Sequence, residues 1–438
     1  MKKVAIFTTF FEATSGYSLI SVTETQIESL LAHGYNPRVL VQALETKDCL
    51  DPDSDGKGFI AGFEELPAPS VWRREIIDLR PVIPGLRLND GVSPHFEQRV
   101  DMIYQALEEN LDGIDVCITH DIILQNGYKE HNVAMRRYAR KRPDLLWLHW
   151  IHSCPTPKKG YKYPDDCRYT PPPGYIVYPN DSDKALVAGT YQLVNQEWRV
   201  KVCRAAHAID PMKVWPYDGL TRDLVGSFNM LDGDVVAVYP ARLDRGKHPE
   251  KILYLMAGIK RLGYVPKLLI VDWQSSGERF QKYIDELIEL ATELGIENDV
   301  AFTSRLDDRC SQGVPRRVVN ELMDLSNVYI HPSAAETYSL TAHEAILRGN
   351  LAVLNHDFPA MRELYGDNIL YMDFGSDRIS RTYEPDERTF WQDESKRLMV
   401  ELLQNRAIVA KTRARKEWSP NALWKTFEPL LYLDPVGE

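Results

Sequence analysis

Short apolar runs alternate with amphipathic segments along most of the chain. A β-rich run at 2–10 is followed by helical spacing that stops at Gly34, and then by a second apolar run at 36–44. A strand, a helix and a second strand in this order form a parallel pair, so a parallel sheet is predicted from the start of the chain. Further buried strands are predicted at 114–121, at 145–153 and at the start of 174–193.

The same alternation restarts near residue 234 and is more regular there. Five predicted strands alternate with four predicted helices, which is the pattern of a doubly wound parallel sheet. Residues 207–233 show little regularity and are predicted to be a linker that leads into the second domain. The Pro- and Tyr-rich stretch 154–174 is predicted to be a long surface loop. Residues 393–431 are predicted to be helical with a break near Pro420.

These patterns predict an α/β protein with two tandem Rossmann-like domains that face each other across a cleft. The predicted bounds are 1–212 and 213–415, with a C-terminal helical segment at 416–438. Ligands of open α/β sheets bind beyond the carboxyl ends of the strands. Candidate site residues are therefore expected just after strands, and both domains are expected to contribute.

Composition narrows the class of protein. The chain has 44% hydrophobic and 26% charged residues, as in an ordinary soluble globular protein, and its net charge of -11 argues against a coat of basic charge for nucleic acid. Its six cysteines form no C-x-x-C pair, which predicts reduced thiols in a cytoplasmic protein. No run approaches the roughly 18 apolar residues of a membrane span. The apolar start ends at Glu12, which favours a buried strand over a signal peptide.

Two glutamates lie eight positions apart in the stretch "AETYSLTAHEAILRGN". Glu336 is predicted to lie in the loop after a strand, and Glu344 on the first turns of the following helix. A carboxylate there can accept hydrogen bonds from sugar hydroxyls, and the free amides of a helix N-terminus bind phosphate. The alternative is that Glu336 only places a negative charge at the helix dipole. The amides predicted to face a ligand are those of Tyr338, Ser339, Leu340 and Thr341.

Two cations follow the first predicted strand of the second domain, in "YPARLDRGKHPE". Arg242 comes directly after the strand, and Lys247 lies five residues further on. Their charges and hydrogen-bond donors suit a diphosphate group. A solvated basic loop is the alternative explanation for this pair.

Together, the R-x4-K loop and the later E-x7-E segment resemble the retaining glycosyltransferases of family 4. The resemblance is strongest over 234–372 and weaker over 1–210. It implies the GT-B arrangement, in which the first domain binds the acceptor and the second binds a nucleotide-sugar donor. It also implies that the helix after Trp418 crosses back to the first domain.

The same resemblance implies a role for each matching residue. Arg242 and Lys247 would hold the donor diphosphate, Glu344 the nucleotide ribose, and Glu336 the hydroxyls of the donor sugar. Base specificity is expected to rest on backbone contacts around 303–305. The implied donor site comprises Gly16, Arg242, Lys247, Tyr338, Ser339, Leu340, Thr341 and Glu344.

No metal or other cofactor is expected, because cations and a helix N-terminus neutralise the leaving group in this family. The sequence has no D-x-D motif placed after a strand. The segment "DPDSD" at 51–55 contains that pattern but is predicted to be a polar surface turn.

The first domain offers fewer signals. The family's Gly-containing loop is matched only by Gly16, in "TSGYS", without the usual second glycine. A histidine near the donor sugar is implied after a middle strand, and His152 is preferred to His149 because it lies nearer the carboxyl end. Asp121 also ends a strand and could position the acceptor. The alternatives are core histidines, an H-x-x-H metal pair and a helix-capping aspartate.

The predicted activity is transfer of a hexose or pentose with retention of configuration, from a UDP-sugar or next a GDP-sugar. Residues 122–215 carry 15 Lys and Arg against 8 Asp and Glu, with cations and tyrosines mixed at 136–142 and 158–169. This balance suits an anionic acceptor such as a nucleic acid with a modified base, a sugar phosphate or a membrane-surface lipid. A solvated helix face and a surface loop are the alternative.

Two other functions remain open at the sequence level. A nucleotide-sugar epimerase has the same architecture, and a non-catalytic nucleotide-sugar-binding protein would fit the missing glycine. The sequence shows no feature that predicts a stable protein partner.

Overall fold

The chain forms thirteen strands and fifteen helices within the part that the structure describes. This structure is a computed structural model. The residues it describes are 1–8, 18–41, 76–78, 96–124, 128–152, 170–192, 201–208, 210–241, 243, 245–272, 278–333, 339–356, 359–374, 387–417 and 419–436. The strands are β1 Val4–Thr8, β2 Arg38–Val41, β3 Ile76–Asp78, β4 Val116–His120, β5 Leu146–Trp150, β6 Tyr175–Tyr178, β7 Val202–Arg204, β8 Val235–Ala241, β9 Pro266–Asp272, β10 Val300–Phe302, β11 Val328–His331, β12 Leu351–Asn355 and β13 Leu370–Met372. The helices are α1 Ser18–Ala32, α2 Phe96–Asn110, α3 Lys129–Lys141, α4 Lys184–Gln192, α5 Pro211–Val214, α6 Gly219–Phe228, α7 Pro249–Arg261, α8 Glu278–Glu293, α9 Thr303–Leu306, α10 Arg316–Leu325, α11 Leu340–Leu347, α12 Pro359–Tyr365, α13 Glu387–Gln404, α14 Arg406–Glu417 and α15 Pro420–Phe427.

Two compact units divide the chain. Unit 1 comprises Met1–Ile209 together with Trp418–Glu438, and unit 2 comprises Asp210–Glu417. Each unit contains one parallel sheet with helices in the connections, so the prediction of two tandem α/β domains is confirmed. Within the described residues, no helix combines the length and the apolar character that crossing a membrane requires.

The first six strands of each sheet are arranged in the same spatial order. Unit 1 has the order β3-β2-β1-β4-β5-β6-β7, and unit 2 has the order β10-β9-β8-β11-β12-β13. In each, the first strand lies between the second and the fourth, as in doubly wound Rossmann sheets. The connections leave this pair of strands in opposite directions, which creates a topological switch point at their carboxyl ends.

Each sheet is buried on both faces, which explains the continuous apolar runs of its strands. In β8, Val235 and Tyr239 pack into one core cluster, whereas Val236 and Val238 pack into a second cluster on the opposite face. The strands of unit 1 alternate in the same way. In β4, Val116 and Ile118 pack into one cluster, whereas Cys117 packs into another cluster on the opposite face.

The last described helix, α15, belongs to unit 1. Trp424 stacks on His33, the residue after α1, with ring centroids 3.8 Å apart, and Phe427 packs edge-on against Trp150 at 5.3 Å. Ser419 caps the helix by accepting a hydrogen bond from the Ala422 amide at 3.2 Å. The observed divisions lie at 209/210 and 417/418, where the pattern changes predicted 212/213 and 415/416.

Four details differ from the predicted elements. Residues 219–228 form helix α6 instead of a linker, because Asp218 caps the helix and Leu220, Leu224 and Phe228 fall on one buried face. Strand β10 contains only three residues, and helix α9 follows it directly at Thr303. The C-terminal helical segment is broken at Asn405 as well as before Pro420. The three-residue strands β3, β7 and β13 were not predicted.

Candidate functional site

The switch point of unit 2 lies between the carboxyl ends of β8 and β11. Lys247 follows β8, and helix α11 follows β11, so both lie in the connections that leave this point. Open α/β sheets bind ligands at this place. Of the predicted donor residues, Gly16, Arg242, Glu336 and Tyr338 lie outside the described residues.

Lys247 ends a single 3-10 turn, Arg245–Lys247, and is half-buried. Its backbone carbonyl accepts a hydrogen bond of 2.9 Å from the Tyr239 hydroxyl on β8. The turn is therefore attached to the strand that precedes it. A cation on a short turn that is already fixed can bind an anionic ligand without the entropy cost of ordering a flexible loop.

Helix α11 offers free amides in its first turn. Ser339 is the N-cap, and its hydroxyl oxygen accepts from the Ala342 amide at 3.3 Å. The preceding amides, those of Leu340 and Thr341, have no acceptor within an α-helix. They can therefore bind an anion, whereas the Ser339 hydroxyl already serves the helix.

Glu344 lies on the second turn of α11 and forms an ion pair with Arg316 at the start of α10. The Glu344 side chain is 24% exposed and that of Arg316 is 71% exposed. An ion pair with so exposed a partner contributes little stability. The Glu344 carboxylate is thus half-buried and oriented, yet held by a side chain that can move aside.

The predicted base-contact segment begins helix α9. Asp272, at the carboxyl end of β9, accepts hydrogen bonds from the Thr303 hydroxyl at 2.9 Å and from the Ser304 amide at 3.0 Å. These bonds turn the chain out of β10. They also occupy the Ser304 amide, which is one of the backbone groups expected to contact the nucleobase.

In unit 1, Asp121 is buried and links the ends of β4 and β5. Its carboxylate accepts from the His152 amide at 2.9 Å, and its own amide donates to the Trp150 carbonyl at 2.8 Å. Its backbone is in the left-handed region, with φ 54°. Helix α3 has Tyr128 as its N-cap, so the structure gives Asp121 no helix-capping role.

His149 and His152 have different surroundings. His149 is fully buried, with Nε2 2.8 Å from the Pro173 carbonyl oxygen and Nδ1 2.8 Å from the Thr119 hydroxyl. Burial lowers its pKa to about 3. The protein thus occupies both ring nitrogens of His149, as in a core histidine, while His152 lies at the carboxyl edge.

His152 is the middle member of a chain of three histidines. Its Nε2 lies 2.8 Å from Nδ1 of His120, and its Nδ1 lies 2.9 Å from Nε2 of His207. We call His120, His152 and His207 the histidine chain. Sequence reasoning missed His120 and His207. The "THD" run at the end of β4 could have drawn attention to His120, but β7 is too short to signal His207.

Burial keeps the histidine chain neutral. It lowers the pKa of His120 to about 3, and the His207 imidazole adds to this effect. Burial, followed by the two neighbouring imidazoles, lowers the pKa of His152 well below its usual range, and burial also lowers the pKa of His207. A neutral imidazole has one donor nitrogen and one acceptor nitrogen. All hydrogen bonds in the histidine chain therefore point in the same direction at any one time. Within the described part of the protein, Nε2 of buried His120 has no hydrogen-bond partner.

The histidines do not converge on a metal position. His152 turns one nitrogen to each neighbour, so the three rings form a line. No cluster of three or more His, Cys, Asp or Glu side chains suited to a metal ion occurs in the described segments. Among those segments, Cys117, Cys203 and Cys310 are free thiols, and burial raises the pKa of Cys310 to about 11.

Four of the five cations at 136–142 contact groups within unit 1. Arg137 pairs with Glu97 of α2 at 2.8 Å, Lys141 pairs with Glu108 of α2, and Arg142 pairs with Asp144 at 2.8 Å. Buried Arg136 donates to the carbonyls of residues 170 and 171. These contacts favour a structural role for 136–142, whereas 158–169 lies outside the described residues.

The switch-point segment of unit 2 lies inside a region that matches a known family. Residues 225–372 match the family model of Glycosyl transferases group 1. This group 1 domain includes the whole sheet from β8 to β13, the Lys247 turn and helix α11. No curated protein sequence matches the chain.

Solved structures align with the chain at low similarity. A glycosyltransferase from Rickettsia africae ESF-5 covers 98% of each chain with 12% identity and a TM-score of 0.35. Sucrose-phosphate synthase from Thermosynechococcus elongatus covers 98% of each chain with 15% identity and a TM-score of 0.36. Anabaena Alr3699/HepE in complex with UDP-glucose covers 98% of this chain and 100% of that chain, with 15% identity and a TM-score of 0.33. These scores are low, so function is inferred from the group 1 domain and from the residues themselves.

Proposed function

We propose that this protein is a retaining glycosyltransferase. It transfers a hexose or pentose from a nucleotide diphosphate sugar, a UDP-sugar first and a GDP-sugar next, to an acceptor hydroxyl without a required metal. The observation that carries the proposal is the group 1 domain, whose sheet has its switch point between the Lys247 turn and helix α11.

The donor diphosphate is assigned to the switch point of unit 2. Lys247, with Arg242, supplies positive charge, and the Leu340 and Thr341 amides supply hydrogen-bond donors. Glu344 would accept from the ribose hydroxyls in exchange for Arg316. Glu336 would accept from hydroxyls of the sugar, with Tyr338 beside it.

The proposed chemistry is a displacement on one face of the sugar. The bond between the anomeric carbon and the diphosphate oxygen breaks, and the acceptor oxygen bonds to the same face. The acceptor proton passes to the departing phosphate oxygen. The protein contributes position and electrostatic stabilisation of the leaving group, so no protein base is required.

Unit 1 is assigned the acceptor side. Asp121 and His152 lie together at the carboxyl ends of β4 and β5, and the His152 ring is fixed by its two neighbours in the histidine chain. Gly16 is proposed to contribute to binding of the donor phosphates. The proposal of an anionic acceptor depends on the cations of 158–169, because Arg137 and Lys141 of α3 form ion pairs within unit 1.

The first test is a thermal-shift panel of UDP-, GDP-, ADP- and TDP-sugars at several concentrations and without metal. Wild type is compared with Glu344→Ala and with Glu401→Ala, an exposed glutamate of α13 that serves as the matched control. A ligand at a hundred times its Kd stabilises the folded state by about 2.7 kcal/mol. We expect one nucleotide class to stabilise wild type and Glu401→Ala but not Glu344→Ala.

Other outcomes distinguish the alternatives. No shift with any sugar nucleotide contradicts the donor site. Binding followed by epimerisation without an acceptor identifies an epimerase, and binding without turnover identifies a non-catalytic binder. Once an acceptor is found, NMR of the product shows whether the anomeric configuration is retained.

A further inference from the structure

His248, the residue after Lys247, has a backbone conformation that its sequence disfavours. Its φ is 49° and its ψ is 46°, in the left-handed region. A residue that precedes proline is biased towards extended backbone, and here Pro249 follows. Left-handed backbone outside glycine persists only where surrounding contacts enforce it, often at functional sites.

A buried hydrogen-bond network enforces the conformation of His248. Its Nδ1 lies 2.8 Å from Oε1 of Glu250. The other carboxyl oxygen of Glu250 accepts from the Tyr283 hydroxyl at 2.8 Å. Burial, and then the nearby Glu250, raise the pKa of Tyr283 above its usual range, so the phenol keeps its proton and remains a donor. All three side chains lie in the interior.

Three further contacts fix the turn that carries Lys247. The Tyr239 hydroxyl donates to the Lys247 carbonyl at 2.9 Å. The Arg245 guanidinium lies 4.8 Å from the centre of the Tyr283 ring and pairs with Glu286 at 2.6 Å. The Tyr239 hydrogen bond therefore holds the backbone at Lys247 itself, and the Arg245 contacts hold the start of the turn.

We propose that His248 is a positioning residue for the donor diphosphate, and that it acts by fixing the backbone from which the Lys247 side chain projects. This inference rests on the proposed function. A lysine side chain has several rotatable bonds, so a fixed origin reduces the ordering that phosphate binding requires. The strained backbone and the buried network would thus be retained for binding and not only for packing.

The test compares His248→Gly with Asn229→Gly. Asn229 is also left-handed, with φ 48°, and follows α6 near the amino end of β8, which is the opposite end of that strand from Lys247. Glycine adopts this backbone freely, so both variants are expected to fold. Calorimetric titration measures the Kd for UDP, and NMR titration measures the Kd for uridine, which lacks both phosphates. If wild type binds GDP instead, GDP and guanosine replace UDP and uridine.

We expect His248→Gly to raise the Kd for UDP by about tenfold and to leave the Kd for uridine unchanged. Asn229→Gly should change neither constant. Tyr283→Phe removes the far end of the network while leaving His248, and should raise the UDP Kd by a smaller factor. Melting temperatures are measured for all variants to separate binding from folding.

Three results overturn the inference. Equal UDP binding by wild type and His248→Gly would show that the network serves folding alone. Equal losses for UDP and uridine would show a general disturbance of the site. If wild type bound none of UDP, GDP, ADP and TDP, the proposed function would fail and this inference with it.

Discussion

Single residues decide the charge at the carboxyl edge of the second sheet. Under the proposed function, a sugar nucleotide brings a diphosphate to this edge, and breakage of its bond to the sugar increases the negative charge on the phosphate. Lys247 and the first amides of α11 come from two connections that leave the same switch point. Such preorganised donors act most strongly on charge that develops in the transition state.

Lys247→Ala should therefore impair transfer more than binding. We expect the barrier to rise by about 2–4 kcal/mol, which corresponds to a roughly 30- to 1,000-fold loss of kcat/KM. Initial rates with the donor found by the thermal-shift panel measure this loss. Lys260→Ala is the matched control, because Lys260 lies in the last turn of α7 and pairs with Asp299. A normal rate for Lys247→Ala would remove this lysine from the leaving-group site.

Residue-level partners were harder to predict than residue positions. The pattern of apolar runs places His152 and Asp121 after strands, because strand ends follow from the sequence itself. It does not reveal that His152 contacts His120 and His207, which are 32 and 55 residues away along the chain. Such contacts depend on strand order and on rotamers, neither of which a single sequence displays.

At the scale of elements, the ends of β4, β5 and β7 together hold the histidine chain. Its members stay neutral in the fold, whereas a histidine in the unfolded chain has a pKa near 6.5. Below that pH the unfolded chain binds more protons than the folded chain. The stability that His120 contributes is therefore fully present above about pH 6.5 and is lost as the pH falls towards its folded pKa of about 3.

His120→Asn should weaken this pH dependence. Asparagine retains a polar group near the position of Nδ1 but does not titrate. Between pH 6.5 and 5.0 we expect wild type to lose roughly 1–2 kcal/mol more unfolding free energy than the variant. Urea denaturation at the two pH values measures the difference. Parallel losses in the two proteins would show that His120 takes up protons in the folded state.

Elements were predictable where many side chains agree. Strands such as β8 and β9 contain seven residues each, and both of their faces are buried. The strands β3 and β7 contain three residues each and lie at the two edges of their sheet. An edge strand this short forms because the neighbouring strand is already in place, and its own side chains carry almost no pattern.

At the scale of the whole molecule, unit 1 is built from two distant parts of the chain. Leu423, Phe427 and Leu431 are buried in the same core cluster as strands β1, β4 and β5. The Tyr432 hydroxyl also lies 2.8 Å from the Tyr35 hydroxyl. The final segment is thus part of the first core.

Phe427→Ala should destabilise unit 1 and leave unit 2 unchanged. Loss of a buried aromatic side chain costs about 3–5 kcal/mol, because it leaves a cavity. Hydrogen exchange should show faster opening of β1 and β4, with β8 and β9 unaffected. Lys425→Ala, on the exposed side of the same helix, is the control. Equal protection of β1 and β4 in both variants would mean that α15 contributes little to this core.

The split composition of unit 1 also has a consequence for biosynthesis. The ribosome makes residues 1–209 first but completes their core only after a further 208 residues of unit 2 have been added. At usual translation speeds this interval is roughly 10–40 s. Throughout it, the surface that α15 later covers is exposed in the nascent chain. Unit 2 is contiguous and can fold while the core of unit 1 is still incomplete. Unit 1, most of which is synthesised first, is therefore expected to finish folding last.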